Sequence, residues 1–334
     1  MPASGPVQPE NGLATGRLGD QSAPFSSTRP GSRRIIYGVR TCVIFNPAAR
    51  GEKARHFRRY LDEIASWVAL KATTIPGDAR RLAAEAVADG FELIVAAGGD
   101  GTVNEVLNGI GDAVDGFGRA RLGVLPLGTV NVFAREIGLP LRIERAWATL
   151  QQGRETRLDL PRVEFSVNGV RQRRYFIQLA GAGLDARAIE LVNWPLKKKF
   201  GPLAYIIAGV RALRGPLPQL TALQNGQSAT GELVLVGNGR FYGGPFEIFP
   251  GADLRDGMLD VCVLPRASCW SLLRCLPGLL ARRRLPANSV HRFRASTVEL
   301  TADTAASFEL DGEWAGMLPT TFSIARAQLR VVVP

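Results

Sequence analysis

Histidine and cysteine are scarce in this chain, and neither is spaced to bind a metal. The two histidines, His56 and His291, lie far apart with no cysteine or acid motif beside either. The four cysteines, Cys42, Cys262, Cys269 and Cys275, sit in apolar segments without metal-ligand spacing, which predicts buried thiols in a reducing compartment rather than a disulfide framework. No apolar run reaches the roughly 18 to 20 uninterrupted residues that a membrane-crossing helix needs. No apolar core lies behind Arg33 and Arg34 to make a secretion signal, so a cytoplasmic protein is expected. A Walker lysine motif, a complete Gly-x-Gly-x-x-Gly fingerprint and internal repeats are all missing, which sets aside the P-loop and Rossmann readings.

Positive charge, by contrast, is abundant. The 334 residues carry a net charge of +11, which favours an anionic partner: nucleic acid, an acidic membrane face or soluble phosphates. The basic residues are dispersed and no recognition motif accompanies them, so nucleic acid is not expected. The length suits two domains with a substantial core.

Residues 1–34 are rich in Pro, Gly and Ser, and predict a disordered tail. Residues 35–157 alternate strand and helix patterns. A strand or strand pair is expected over Ile35–Asn46, and a helix over Ala54–Leu70 on the spacing of Phe57, Tyr60, Leu61, Ile64 and Val68. A short strand at Thr73–Ile75 precedes a helix over Ala79–Ala88, with Asp78 as its cap and Gly90 as its stop. A strand to Ala97, a helix from Thr102, a strand over Leu122–Leu125 and a helix through Phe133 to Ile137 complete the series. That order predicts a nucleotide-binding α/β domain built on a parallel sheet.

Residues 158–334 differ. Short apolar stretches at Tyr175–Leu179, Leu233–Val236, Met258–Leu264, Thr297–Leu300, Phe308–Leu310 and Phe322–Ile324 recur between turn residues. They predict an antiparallel β-sandwich domain, with its C-terminal end packing back on the first domain. Helical segments near Leu203–Leu213 and Trp270–Leu280 interrupt it.

Three clusters fall where a strand end meets a helix: Asn46-Pro47-Ala48-Ala49-Arg50-Gly51, Gly98-Gly99-Asp100-Gly101-Thr102, and Pro126-Leu127-Gly128-Thr129-Val130-Asn131. Open α/β sheets bind ligands along that edge, and glycines there let a backbone approach phosphate at a helix N-terminus. A loop that only held phosphate would gain nothing from the charge of Asp100, so this acid implies work through a metal ion or a proton. A fourth cluster, Asp253 to Asp260 with Asp311-Gly312-Glu313, reads as hairpin turns with a carboxylate density that keeps a metal or base role open.

In this order the motifs resemble the diacylglycerol kinase catalytic-domain family, over nearly everything from residue 37 to 334. The family includes soluble bacterial lipid kinases and the sphingosine and ceramide kinases. The resemblance implies a phosphofructokinase-like N-terminal α/β domain followed by a C-terminal antiparallel β-sandwich domain, with ATP and Mg²⁺ in the cleft between them. It implies ATP contacts at Asn46, Pro47, Gly51, Thr73, Thr74, Gly98, Gly99, Asp100, Gly101, Thr102, Asn104, Glu105, Gly128, Thr129 and Asn131. Asp256 matches the family's magnesium carboxylate, with the carbonyls of Asp253 and Met258 beside it. Glu313 matches the proton acceptor of the bacterial members, whereas in sphingosine kinases the acid corresponding to Asp100 takes that role.

One departure bears on substrate. Val132 stands where many bacterial diacylglycerol kinases have Asp in a water and magnesium network, which Asp159 would also join. This weakens the case for diacylglycerol more than the case for a kinase, and leaves sphingoid bases or ceramide as alternative acceptors. A pseudokinase is a further alternative, as is an NAD kinase, although the latter is not expected to carry the third motif and Asp311-Gly312-Glu313 together. The expected partners are a lipid alcohol and, peripherally, an anionic membrane surface, reached through Trp194 to Phe200 with Lys197, Lys198 and Lys199, or through the Trp270 segment. A homodimer is compatible with the sequence.

Overall fold

The computed structural model describes residues 38–47, 52–191, 203–271, 274 and 290–334. The expected tail, Ala48 to Gly51 of the first motif, the Lys197–Lys199 stretch and most of the Trp270 helix lie outside these residues.

Strands β1 (Thr41–Phe45), β2 (Ala69–Ala72), β3 (Leu93–Gly98) and β4 (Arg121–Pro126) pair in parallel in the order β2-β1-β3-β4. The central β1 and β3 are buried along their whole length, as apolar runs covered on both faces must be. Helices α1 (Glu52–Ala65), α2 (Asp78–Ala88), α3 (Asp100–Asp112), α4 (Gly116–Arg119), α5 (Val132–Glu136) and α6 (Ile143–Gln152) connect or follow these strands. The fold class expected from the alternating pattern is the one observed.

Local boundaries differ for identifiable reasons. Helix α1 stops short of Leu70, because Ala69–Ala72 is drawn into the sheet beside Cys42–Phe45. The strand expected at Thr73–Ile75 therefore lies earlier. Thr73 N–H still donates to the Phe45 carbonyl at 2.9 Å, but the N–H groups of Thr74 and Ile75 turn to the carboxylate of Asp78. Asp78 thus ties the loop behind it instead of capping the helix ahead. The Thr74 hydroxyl first, and then these N–H groups, hold its carboxyl well below the usual carboxylate range.

The rest of the chain comprises β5 (Arg154–Val167), β6 (Val170–Tyr175), β7 (Leu179–Gly183), α7 (Leu184–Leu191), α8 (Leu203–Ala212), β8 (Leu220–Gln224), β9 (Gln227–Gly231), β10 (Leu233–Gly237), β11 (Phe241–Tyr242), β12 (Phe246–Glu247), β13 (Leu259–Leu264), β14 (His291–Ala295), β15 (Thr297–Ala302), β16 (Ser307–Leu310), β17 (Glu313–Met317) and β18 (Thr320–Val333). A six-stranded antiparallel sheet runs β14-β13-β10-β7-β16-β17. Facing it are β5, β8, β15 and the first part of β18, with a shared apolar core between. Phe165, Phe176, Phe308 and Phe322 meet there edge to face, at centroid distances of 5.2 to 6.0 Å. Such contacts add about 0.5–1.5 kcal/mol each beyond area burial. The last part of β18 joins the parallel strands, Val331 opposite Leu122 of β4, so one ten-stranded sheet runs through both halves.

The stretch Tyr175–Leu179 is not one strand: it runs from the last residue of β6 through a passage at 176–178 to the first residue of β7. Its N–H groups at Ile177, Gln178 and Leu179 bond the side chain of Asp311 instead of a neighbouring strand. Cys42 and Cys262 are buried as expected, and burial pushes the Cys42 thiol up to about 11. Cys269 corrects the expectation, because it is exposed.

Candidate active site

The carboxyl ends of the parallel strands place the sequence motifs on one edge. Phe45 pairs with both Ala72 and Ala97, and Gly98 with Pro126, so Asn46, Thr73, the glycine loop and the Gly128 turn follow adjacent strand ends. Pro47 is fixed by Arg58, whose guanidinium donates to its carbonyl at 2.9 Å. Thr129 is exposed at its turn, and Thr74 donates its hydroxyl to Asp78 at 2.6 Å.

The second and third motifs are stitched together through backbone. The N–H groups of Leu127 and Gly128 donate to the Gly98 carbonyl at 2.9 and 3.2 Å. A Cβ added to Gly128 would lie 2.5 Å from the Gly99 Cα, so this close approach requires glycine. Asn131, in the left-handed region at φ 53°, closes its own turn: it accepts from Gly128 N–H at 3.0 Å and donates to the Gly128 carbonyl at 2.6 Å. Thr102 packs directly on Gly98.

Asp100 opens α3 and accepts the N–H of Phe133 at 3.3 Å, facing the first turn of α5. Burial pushes its pKa up; N–H groups at the start of α5 pull the other way, and the charge of Asp311 adds to the rise. Gly101 meets the second half of the molecule. A Cβ there would lie 2.6 Å from Oε1 of Glu313, so the Glu313 side chain rests on the glycine loop. The proposed base and the proposed phosphate loop, distant in sequence, are in contact.

Asp311 holds that arrangement. It sits at φ 50° in the turn between β16 and β17, with Gly312 at φ 89°. Its carboxylate accepts N–H bonds from Ile177, Gln178 and Leu179 at 2.8, 2.9 and 3.1 Å, and from the Asn104 amide at 2.7 Å. Burial pushes its pKa upward against these donors. Three residues expected to contact nucleotide also hold the scaffold. Asn104 is only 2% exposed and its amide nitrogen is committed to Asp311. Asn131, 3% exposed, is spent on its own turn. Glu105 caps α2, accepting the N–H groups of Gly77 and Ala79 at 3.1 and 3.0 Å. These three build the edge on which the glycine loop rests.

The expected magnesium cradle is arranged differently. Asp256 accepts the N–H of Met258 at 2.9 Å and pairs through its other oxygen with the guanidinium of Arg294. Arg326 donates to its main-chain carbonyl at 3.3 Å, and the Asp253 carbonyl takes the Asp256 N–H at 3.3 Å. Asp159, 2% exposed, is spent on the N–H groups of Gly257 and Ala327. Two guanidiniums and the Met258 N–H thus engage Asp256, and a carboxylate spent in this way does not fit a divalent cation. Among the described residues no three acidic, histidine or cysteine side chains are grouped to hold a metal.

A second acid pair went unnoticed in the sequence. Tyr242 donates its hydroxyl to Asp185 at 2.6 Å, and Gly312 N–H donates to Glu309 at 2.6 Å. The remaining oxygens, Asp185 Oδ2 and Glu309 Oε1, are buried without a hydrogen-bond partner and both flank Gly181. A proton held between them satisfies both. Burial pushes both pKa values up, that of Glu309 further because Asp185 lies beside it. No local motif marks such a pair.

With the geometry in view, known proteins can be compared. Residues 40–163 match the diacylglycerol kinase catalytic domain, and residues 178–333 match the YegS C-terminal NAD kinase beta sandwich-like domain. The structure is similar to that of a diacylglycerol kinase from Bacillus anthracis str. Sterne, with a TM-score of 0.70 at 23% identity, covering 88% of this chain and 97% of that one. Yeast NADH kinase shares the fold more distantly, at a TM-score of 0.52 and 8% identity, over 89% and 84% of the two chains. These two likenesses show the fold alone. Sequence narrows the class: a diacylglycerol kinase of Bacillus subtilis (strain 168) is 33% identical over 303 residues, 88% of this chain and 96% of that protein. A Pseudomonas aeruginosa (strain UCBPP-PA14) protein named "Probable lipid kinase YegS-like" is 33% identical over 299 residues, 87% and 93% of the two. The chain belongs to the diacylglycerol kinase catalytic-domain family of lipid kinases.

Proposed function

We propose that this protein transfers the terminal phosphoryl group of ATP to the hydroxyl of a lipid alcohol, with diacylglycerol as the acceptor. The observation that carries this reading is the contact of Glu313 with Gly101, in a loop already stitched to the Gly128 turn. The glycine loop and the N-terminus of α3 receive the phosphates through backbone N–H groups, with Asn46, Pro47, Gly51, Thr73, Thr74 and Thr129 around the nucleotide. Gly51 lies outside the described residues. Glu313, exposed at the loop's mouth, accepts the proton of the attacking hydroxyl. Asp100 orients the loop against α5 and supplies the negative charge behind it.

Mg²⁺ would accompany ATP into the site. The Asp100 carboxylate would be the hard oxygen donor open to Mg²⁺ at the loop, whereas the Asp256 turn is closed on arginine. The ion supplies charge neutralisation of the phosphate oxygens. The chain's own contribution is to position phosphates, orient the acceptor and remove its proton.

The protein works at the surface of an anionic membrane from the cytoplasmic side. Among the described residues no helix is long and apolar enough to cross a membrane, and Trp270, four residues before Arg274, stands 67% exposed. Val132, at the start of α5, supports a sphingoid base or ceramide as the second choice of acceptor. Incubation of the full chain with ATP, Mg²⁺ and a panel of lipid alcohols, followed by mass spectrometry of the lipids, tests both choices. A phosphorylated diacylglycerol is expected; a phosphorylated sphingoid base would replace it with the second choice, and nucleotide binding without any lipid product would refute transfer.

A further inference from the structure

Arg174 lies near the end of β6, opposite Val163 of β5. The adjoining Tyr175 is clamped onto α3. Its N–H donates to Asn108 at 2.9 Å, its carbonyl accepts from the same side chain at 2.9 Å, and its ring packs on Gly111 and on Phe117 with centroids 5.1 Å apart. The strand end therefore has little freedom, and Arg174 is held where the glycine-loop helix meets the Asp311 turn.

The guanidinium there is poorly satisfied. Its Nε is buried without a hydrogen-bond partner, and Arg174 closes no ion pair among the described residues. The charges that act on it are those of Arg80, Glu313, Asp311 and Glu105, and of these Glu313 rests on the glycine loop at Gly101. Two of the three acids are committed elsewhere: Glu105 to the N-terminus of α2, and Asp311 to its four donors. Arg80 is locked in a two-pronged pair with Asp112 at 2.6 and 2.8 Å. Burial and the like charge of Arg80 lower the Arg174 pKa, so the surroundings do not offset the cost of holding this cation.

A partly desolvated arginine that closes no ion pair among the described residues, close to Glu313 and the glycine loop, is suited to an anion. Its planar donors match two oxygens of a phosphate at once, which a lysine cannot do. We propose that Arg174 is a phosphate-binding residue of the transfer site, pairing with the phosphoryl group that passes from nucleotide to lipid. This rests on the lipid kinase reading. The phosphate can be met on either side of transfer, as the terminal phosphoryl of ATP or as the phosphomonoester of the lipid product.

The test compares the full-length protein with Arg174→Gln and Arg174→Lys, with melting temperature as a control for folding. Calorimetry gives the affinities for ATP and ADP in Mg²⁺, and inhibition by phosphatidic acid in mixed vesicles gives the product side. A lost charge-assisted pair costs about tenfold or more. If the nucleotide's terminal phosphate is the partner, R174Q weakens ATP by that factor while ADP holds, and R174K recovers part of the loss. If the product is the partner, ATP binding is unchanged and inhibition by phosphatidic acid weakens by the same factor. Equal weakening of ATP and ADP, or no change in either arm, overturns the assignment; should R174Q fail to fold, R174K carries the comparison. Failure of the unaltered protein to bind ATP at all would instead count against the kinase reading.

Discussion

Two Asp-Gly turns in the second half of the molecule look interchangeable on paper and are opposites in space. At Asp311-Gly312 the carboxylate turns inward onto backbone N–H groups, which leaves the next residue, Glu313, lying on the glycine loop. At Asp256-Gly257 the carboxylate turns to Arg294, and the turn closes on itself. The dipeptide sets only the backbone bend. What the bend delivers depends on which groups the surrounding strands bring within reach.

The contrast can be broken most strongly at Asp311. Asp311→Ala leaves the N–H groups of Ile177, Gln178 and Leu179 and the Asn104 amide without their acceptor. A loss of about 3 kcal/mol or more is expected, together with loss of transfer, measured by denaturant unfolding and by lipid phosphorylation. Asp311→Asn, which keeps one acceptor oxygen, should lose less; equal stability of the alanine variant would remove Asp311 as the organiser of the site.

A smaller effect is expected beneath the same turn, at Asp185 and Glu309. Their carboxyls have raised pKa values in the folded chain, so the folded state holds protons that the unfolded state releases. Stability should therefore begin to fall as pH rises past the ordinary carboxylate range, and level off once the folded values are passed. Glu309→Gln should flatten that slope in thermal melts taken across pH. An unchanged slope would mean that no proton is held there.

The smallest effect belongs to the Asp256 turn. Because Arg294 and Asp256 are partly exposed, breaking the pair should cost roughly 0–1 kcal/mol. Mg²⁺ added without nucleotide should leave the melting temperature of the unaltered protein where it was. A clear rise that disappears in Asp256→Asn would restore a magnesium role to this turn and erase the contrast.

Much of the edge was legible because its signals are local. Glycines flanking Asp100, and three turns each closing a strand, mark a ligand-binding edge whatever follows them in the chain. The parts that were not legible depend on distance. An amide or carboxylate inside a motif looks the same whether it faces ligand or backbone, so Asn104, Glu105 and Asn131 read as contacts although each is committed to the scaffold. Arg294 meets Asp256 only because β13 and β14 pair. Arg174 was hidden in the basic run Arg171-Gln172-Arg173-Arg174, where nothing separates a solvated arginine from a half-buried one. The stretch Tyr175–Leu179 was apolar enough to read as one strand, and only the Asp311 side chain explains why it is not.

The most direct measurement is turnover and ATP affinity of Glu313→Gln beside the unaltered protein. If the contact between Glu313 and Gly101 marks the place of proton removal, ATP should bind equally well to both, while lipid phosphorylation falls by about 10²–10⁴. Full turnover by the variant would show that the hydroxyl proton leaves by another route, and that the meeting of these two turns is not the catalytic centre.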